Sequence, residues 1–335
     1  NKFHTTMTLY YTLIQPFLIL STFTCLILPI IAPLLLVLSL FQYTYAIVRR
    51  LISSNSSRVH LEGDRQSNPK CVIISGAASG IGRELALSYA KKHAFIVLGL
   101  MVRQMDDRAF ALKKECEEHS AKVVLKACDV TNAEEVEQFV KQMDKSYEVD
   151  VAIANAGATH YTLLKETSKF QHLEVMDKEI FNINLMGAMN MLVPLVTCMR
   201  RRNRGTLVVV SSQASFTPEM GSYACAKSAI ANYARNLRMR LASTGIAVIS
   251  VFPGWVDTPM ADAAKDLKKV GMISCAEAAG IIMKGIEENQ AEIVFPLWVN
   301  FISRLIQLIP FEWKSELLKK NVANSVVEAQ LSKSK

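Results

Sequence analysis

Tyr223 and Lys227 are the two residues whose types and spacing best suit acid–base chemistry. Residues four positions apart share one face of a helix, and the surrounding sequence predicts a helix that runs to about Leu241. A free tyrosine has a pKa of about 10 and exchanges protons poorly at neutral pH. A nearby ammonium favours the phenolate. We therefore predict that Lys227 lowers the pKa of Tyr223 and that Tyr223 exchanges a proton with a substrate.

A glycine-rich turn provides a second chemical signal. The apolar run of residues 71–74 leads into Ser75-Gly76-Ala77-Ala78-Ser79-Gly80-Ile81-Gly82, and a helical pattern follows. Because glycine has no side chain, backbone N–H groups can approach a pyrophosphate, and the amino end of the helix offers it partial positive charge. The turn therefore predicts a dinucleotide site that includes Gly76, Ser79, Gly80, Ile81 and Gly82.

The next apolar run, Ala94 to Val102, predicts a strand whose end meets the adenosine ribose. An Asp or Glu at that end selects NAD, but neither type occurs between Ala94 and Met105. Arg103 follows the run, and an arginine can pair with a 2′-phosphate. The sequence therefore favours NADP(H), with NAD(H) and a solvent-facing Arg103 as the alternatives.

Strand and helix patterns then alternate along the chain. Charged helical patterns at 107–119 and 133–145 separate the apolar runs at 122–125 and 149–153. Repeated strand–helix units imply a parallel sheet with helices on both faces. The predicted fold class is α/β, a doubly wound parallel sheet of the Rossmann type.

Six motifs in order resemble the short-chain dehydrogenase/reductase family over about residues 70–293. Beyond the glycine turn, they are Asn155-Ala156-Gly157, Asn184-Leu185-Met186-Gly187, Val208-Val209-Val210-Ser211-Ser212, Tyr223-Ala224-Cys225-Ala226-Lys227 and Pro253-Gly254-Trp255-Val256-Asp257-Thr258-Pro259-Met260. The resemblance implies a nicotinamide-dependent oxidoreductase, and family habit suggests a homodimer.

The resemblance also implies roles for individual residues. Tyr223 would protonate a carbonyl oxygen as hydride arrives, Ser212 would hydrogen-bond the same oxygen, and Lys227 would hold the nicotinamide ribose. Asn184 would steady a water that resupplies the proton through Lys227. Together with Tyr223 and Lys227, the residues that would line the cofactor are Asp129, Val130, Asn155, Ala156, Gly157, Pro253, Gly254, Val256 and Thr258.

The sequence departs from the family pattern at three places. Ser212 precedes Tyr223 by eleven residues, which is a shorter spacing than the family usually has, so Ser211 competes for the serine role. The shorter loop between them affects the shape of the substrate pocket more than the chemistry. Ser75 and Ala154 replace a usual threonine and a usual asparagine.

The 42 residues from Met7 to Val48 contain no charged side chain. A bilayer core about 30 Å thick takes roughly 20 helical residues, and Pro29 and Pro33 interrupt the middle of the segment. We predict a membrane hairpin, with a single tilted span as the alternative. A cleaved signal peptide fits less well, because its apolar core is typically about 7–15 residues.

Arg49 and Arg50 follow the apolar segment and favour a cytosolic position for the rest of the chain. The predicted location is the membrane of the endoplasmic reticulum or of a lipid droplet. We divide the chain into a membrane anchor (1–50), a polar linker (51–69), a catalytic domain (70–293) and an amphipathic tail (294–335).

Composition excludes several other classes. The net charge is +8, but the sequence has neither an aromatic-interleaved basic stripe nor zinc-ligand spacing, which argues against nucleic acid as a partner. We read the arginines at 200–204 as a solvated loop. Seven scattered cysteines, without a Cys-x-x-Cys pair, argue against a disulfide framework and against a metal site.

The carboxyl-terminal segment from Phe295 to Pro310 is apolar but too short and too polar to span a bilayer. With Trp298 and Trp313 it suits a membrane interface, and the alternative is packing on the protein's own core or on a dimer partner. Two such membrane-seeking segments suggest a lipophilic ketone as substrate. Oxidation of a retinol or steroid alcohol with NAD, a catalytically silent membrane scaffold and a cofactor-binding redox sensor are the other readings.

Overall fold

The computed structural model describes residues 68–164, 172–264 and 269–318. The predicted membrane anchor and almost all of the predicted linker lie outside the described residues, as does the end of the tail from residue 319. The predicted division into four parts therefore stays a prediction at both ends of the chain.

Seven parallel strands form one sheet in the order β3-β2-β1-β4-β5-β6-β7. They are β1 Cys71–Ser75, β2 Val97–Val102, β3 Lys122–Ala127, β4 Val151–Ala154, β5 Gly205–Val210, β6 Ile246–Pro253 and β7 Glu292–Phe295. Strands β1 to β3 follow one another toward one edge of the sheet and β4 to β7 toward the other, so the strand order reverses between β1 and β4. Ligands of open parallel sheets bind at such a switch point, beyond the carboxyl ends of the strands.

Helices cover both faces of the sheet. They are α1 Gly80–Lys92, α2 Asp107–Glu118, α3 Ala133–Tyr147, α4 His160–Leu163, α5 Leu173–Phe181, α6 Gly187–Arg202, α7 Ser222–Arg240, α8 Pro259–Ala263, α9 Cys275–Glu287, α10 Leu297–Gln307 and α11 Phe311–Leu318. A π-helical turn, Asn182–Met186, joins α5 to α6, and 3-10 turns occupy Gln213–Phe216 and Pro218–Met220. The predicted Rossmann-type fold is confirmed.

Strand composition follows from burial on both faces. Every residue of β1 and of β6 is buried, which is why these strands are continuous apolar runs rather than alternating ones. One core cluster packs α1, α2 and α9 on one face, with Leu85 and Ile282 at its centre. A second core cluster packs α3, α6 and α7 on the opposite face, and it includes Met191 and Ile230.

The predicted second strand begins later than expected and ends where expected. Phe95 has a φ of 59° and is 83% exposed, so the chain turns there and β2 starts at Val97. The strand ends at Val102, and Arg103 is therefore the first residue beyond it.

Two of the four clustered arginines are exposed as predicted, although at the end of α6 rather than in a loop, and the other two are not solvated. Arg202 ends α6 and lies 2.7 Å from the carboxylate of Asp144 on α3, with most of both side chains buried. It also donates to the carbonyl of Val149, and Arg204 pairs with Glu148. These charges join two helices, and their position could not be read from the chain because their partners are more than 50 residues away.

Within the described ranges, one continuous helical stretch, Leu173–Arg202, is long and apolar enough to cross a membrane by length and composition alone. Its Met191, Leu195 and Met199 are fully buried in the core beneath the sheet. Core packing therefore accounts for these three apolar side chains.

Asp150 ties the start of β1 to the start of β4. Its carboxylate accepts hydrogen bonds from the backbone N–H groups of Lys70 (2.8 Å) and Cys71 (3.3 Å), and it is 5% exposed. Because a buried N–H without an acceptor costs about 1–3 kcal/mol, Asp150→Ala should lower the free energy of unfolding by about 2–3 kcal/mol in urea melts.

Asp150→Asn keeps a hydrogen-bond acceptor, so it should lower the free energy of unfolding by less than Asp150→Ala does. Glu118→Ala, at the exposed end of α2, serves as the control and should leave the free energy of unfolding within about 0.5 kcal/mol of wild type. Equal stability of Asp150→Ala and wild type would contradict the proposed tie.

Candidate active site

Two glycines of the turn lie so close to neighbouring backbone that neither position has room for a side chain. Gly76 has a φ of +66°, and a Cβ there would lie 2.8 Å from the Cα of Ala156. A Cβ on Gly82 would lie 2.4 Å from the carbonyl oxygen of Gly76. Glycine at these positions is therefore required by backbone conformation and by close packing, and the turn lies at the switch point of the sheet.

Ser75 and Asn155 hold this turn against the loop after β4. The Ser75 hydroxyl accepts from the backbone N–H groups of Asn155 and Ala156, both at 3.1 Å. The Asn155 amide donates to the carbonyls of Ser75 (3.0 Å) and Gly76 (3.1 Å). A hydroxyl is what this position needs, so Ser75 can replace the threonine that the family usually has.

The amino end of α1 is open to an anion. Ser79 is extended and, among the described residues, its side chain makes no capping hydrogen bond, while the first turn carries no acidic residue. Gly80 has a φ of +57°, and a Cβ there would meet the methyl group of Thr258 at 3.0 Å. Ile81 is partly exposed beside Gly80. Free N–H groups and the helix dipole at this end suit a phosphate.

The segment after β6 lies at the same carboxyl edge of the sheet as the glycine turn. Pro253 ends β6, and the N–H of Gly254 donates to the carbonyl of Phe295 at 2.7 Å. Val256 bridges to Ile273 in parallel. Thr258 caps α8 by accepting from the N–H of Ala261, which fixes Thr258 against the glycine turn.

Arg103, Asp129 and Val130 lie beyond the ends of β2 and β3. Arg103 is exposed. The Asp129 carboxylate accepts from the N–H and the hydroxyl of Thr131, at 2.9 and 2.8 Å. Val130 packs against Gly187, where a Cβ would lie 2.7 Å from its side chain. With the open helix end and the glycine turn, these residues fit an extended dinucleotide along the carboxyl edge of the sheet.

Tyr223 and Lys227 lie on one face of α7, as predicted. The Lys227 ammonium is 5.9 Å from the centre of the Tyr223 ring. It is buried and donates to the carbonyl of Val210, at the end of β5, at 2.8 Å. A Cβ on Gly157 would lie 3.2 Å from the ammonium nitrogen, so the ammonium meets the loop after β4.

The pKa of Tyr223 moves in the direction opposite to our prediction. Burial raises the pKa of the phenol above its usual value, and a hydrogen bond with Ser212 lowers it in part. Lys227 does not offset the burial, and desolvation lowers the pKa of its own ammonium to about 8. In this structure Tyr223 is therefore a protonated phenol at neutral pH, beside a lysine that is still mostly protonated.

The two candidate serines have different surroundings. Ser211 is 3% exposed and donates its hydroxyl to the carbonyl of Lys227 at 2.8 Å, so it anchors α7. Ser212 is partly exposed, accepts from the N–H of Ala214 and contacts the phenol of Tyr223. The geometry favours Ser212 for contact with a substrate oxygen.

Asn184 lies in the π-helical turn and is fully buried. Its amide donates to the carbonyls of Ala158 (2.8 Å) and Ile180 (2.9 Å), and its oxygen accepts from the N–H of Ala158 at 3.3 Å. A Cβ on Gly157 would lie 2.7 Å from that oxygen. Asn184 therefore fixes the loop that faces Lys227, a structural role that the family resemblance did not imply.

A cluster beside Tyr223 was missed in the sequence. His160 is 3% exposed, and its Nε2 lies 2.7 Å from a carboxylate oxygen of Asp177 and 3.1 Å from the hydroxyl of Ser222. Both contacts use the same ring nitrogen, so the cluster lacks the geometry of a hydrolase triad. It ties α4 and α5 to the first residue of α7, and no spacing pattern in the sequence could have joined these residues.

Comparisons with known proteins agree with this geometry. The family model described as short chain dehydrogenase matches residues 70–269. An 11-beta-hydroxysteroid dehydrogenase of Pinus massoniana is 30% identical over 274 residues, which cover 74% of this chain and 74% of the relative. The 11-beta-hydroxysteroid dehydrogenase-like protein 3 of Arabidopsis thaliana is 26% identical over 299 residues, which cover 87% of this chain and 92% of the relative.

Two solved structures share the fold. The alcohol dehydrogenase of the archaeon Thermococcus sibiricus, complexed with 5-hydroxy-NADP, has a TM-score of 0.57 and 26% identity over 68% of this chain and 95% of its own. A short-chain dehydrogenase of Sphingobium yanoikuyae, in complex with NADPH, has a TM-score of 0.60 and 21% identity over 75% of this chain and 96% of its own. The protein is therefore an NAD(P)-dependent oxidoreductase that belongs to the short-chain dehydrogenase family.

Proposed function

We propose that the protein reduces a lipophilic ketone with NADPH, or oxidises the corresponding alcohol in reverse, and that Tyr223 is the acid–base residue. The observation that carries the proposal is the position of the Tyr223 ring 5.9 Å from the buried Lys227 ammonium, at the carboxyl edge of the sheet beside the loop after β4. The bound nicotinamide supplies or accepts the hydride.

The chain's own residues handle the proton and the substrate oxygen. Tyr223 donates its phenolic proton to the carbonyl oxygen, and Ser212 hydrogen-bonds the same oxygen. The Lys227 ammonium, held by the Val210 carbonyl, stabilises the phenolate that forms and holds the ribose of the cofactor. Because burial keeps Tyr223 protonated at neutral pH, the resting site is ready for reduction.

Arg103 supports the preference for NADPH over NADH. It is exposed immediately beyond the end of β2, where the adenosine ribose lies in this fold. A guanidinium there can hydrogen-bond a 2′-phosphate in a bidentate manner. The first acidic residue after Arg103 is Asp106, and its side chain already accepts a hydrogen bond as the cap of α2.

Apolar surroundings of Tyr223 support a lipophilic substrate. Tyr223 packs at the edge of a cluster that includes Leu163, Met176 and Ile180. Two of the relatives described above carry 11-beta-hydroxysteroid dehydrogenase in their names. The uncharged segment from Met7 to Val48 would bring the enzyme to a membrane, and we place it at the endoplasmic reticulum or a lipid droplet with the catalytic domain in the cytosol, as a monomer or a homodimer.

Tyr223→Phe tests the proposed acid–base role. Because the variant loses the transferable proton, turnover should fall by about 10²–10⁴-fold, while the affinity for NADPH stays within about twofold. The assay follows NADPH absorbance with a panel of lipid ketones, and alcohols with NADP⁺ for the reverse direction. Tyr233→Phe, on the same helix, is the matched control and should keep wild-type turnover. Full activity of Tyr223→Phe would rule out the mechanism.

The pH dependence of reduction tests the state of Lys227. Its pKa is lowered to about 8, so the ammonium is present below that pH and is lost as the pH rises through it. The logarithm of kcat/KM for the ketone should therefore be level below pH 8 and fall above it. Lys227→Met should be slow at every pH and should lack this limb. A wild-type limb that begins only near the usual lysine pKa of about 10.4 would contradict the buried ammonium.

Arg103→Gln tests the choice of cofactor. A hydrogen bond to a charged group contributes about 1.5–3 kcal/mol, so the Kd for NADPH should rise by about tenfold or more, with the Kd for NADH unchanged. Quenching of protein fluorescence measures both. Arg108→Gln, on the first turn of α2, controls for a general loss of positive charge. Equal wild-type affinities for the two cofactors would remove the role of Arg103.

A further inference from the structure

Helices α10 and α11 and the three residues between them expose many large apolar side chains. Seven are between 45% and 80% exposed. We call them the outer apolar face, which consists of Leu297, Trp298, Ile302, Leu305, Leu308, Phe311 and Trp313. Spacings of four and three along α10 put Trp298, Ile302 and Leu305 on one side of the helix. An exposed apolar patch of this extent marks a surface that binds something.

Polar side chains hold α10 to the rest of the protein. Asn300 is buried and accepts from the guanidinium of Arg304 at 2.8 Å. Arg304 stacks 4.7 Å over the ring of Phe216 and lies 3.6 Å from the carboxylate of Glu292. Gln307 donates to the carbonyl of Phe216 at 2.5 Å. A surface helix of a globular protein usually exposes its polar side to solvent. Helix α10 instead exposes much of its apolar side.

The neighbouring elements extend the face and fix its orientation. Lys314, which is 7% exposed, pairs with Glu219 and so ties α11 to the 3-10 turn Pro218–Met220. Val270 and Met272 are 45% and 44% exposed, and a Cβ on Gly271 between them would lie 3.0 Å from the Trp298 ring. The apolar surface therefore continues from the two helices onto this loop.

We infer that the outer apolar face docks onto a lipid bilayer. None of its seven side chains carries a charge, and it includes two tryptophans, which favour the headgroup level of membranes. The chain upstream supplies the second argument: 19 residues separate Val48 from Asn68. At about 3.3–3.6 Å per residue they reach at most about 70 Å, so a membrane that holds the segment from Met7 to Val48 keeps the face at high local concentration.

The docking has a consequence for the active site, which rests on the proposed function. Arg304 and Gln307 contact Phe216 in the chain between Ser212 and Tyr223. The face that touches lipid is therefore attached to the segment that connects the proposed catalytic serine and tyrosine. A lipophilic ketone would then reach the site from the bilayer rather than through water.

Quenching of tryptophan fluorescence by brominated lipid tests the inference in the full chain. The protein is reconstituted in phosphatidylcholine vesicles, with or without bromine on the acyl chains near the headgroups. Two of the three tryptophans belong to the face, so brominated lipid should reduce the emission by on the order of half. Trp298→Phe with Trp313→Phe leaves Trp255, which should not be quenched.

A variant that keeps both reporters tests the face itself. Replacing Ile302, Leu305 and Leu308 by Gln should abolish the quenching. Replacing Phe95, Phe110 and Met239, which are at least as exposed as a set, by Gln is the matched control and should leave the quenching unchanged. Circular dichroism checks that both variants are folded.

Two results would overturn the inference. Unquenched wild-type emission, with a dimer in detergent that the Gln variant breaks, would assign the face to a second copy of the chain. Unquenched emission from a monomer would show that another part of the chain covers it. Neither cofactor nor turnover enters this measurement, so its failure is distinguishable from failure of the proposed function.

Discussion

The burial of the Lys227 ammonium is the constraint on which the candidate site depends. Removing an ammonium from water is costly unless polar groups receive it, and burial lowers its pKa to about 8. The Val210 carbonyl receives it at the end of β5, Ser211 anchors the same residue through its backbone, and Gly157 leaves the space it needs. The sheet edge, α7 and the loop after β4 therefore meet at one charge, and Tyr223 lies beside it.

Local sequence patterns were sufficient for the fold and for the glycine turn. Runs of buried β-branched residues mark parallel strands wherever helices cover both faces, and the glycines of the turn are required by close approaches that few other residues permit. The apolar run that forms β2 also marked the end of this strand, and with it the position of Arg103. Features that depend on neighbours in sequence were predictable.

Features that depend on burial and on distant partners could not be predicted from the sequence. The raised pKa of Tyr223 comes from desolvation, which the spacing to Lys227 does not reveal. Asn184 uses its amide on backbone groups of Ala158 and Ile180, and Arg202 finds its partner 58 residues away. Contacts of this kind are fixed by the sheet topology rather than by the residues around them.

In the proposed function Tyr223 is a proton donor, and burial keeps its phenol protonated. The most direct test is an NMR titration of the protein labelled with ¹³C at the tyrosine ζ carbon, with Tyr223→Phe to assign the resonance. We predict that the Tyr223 signal keeps the chemical shift of the protonated phenol at and beyond pH 10, where free tyrosines are about half ionised. A transition to the phenolate below pH 8 in the cofactor-free protein would contradict the account.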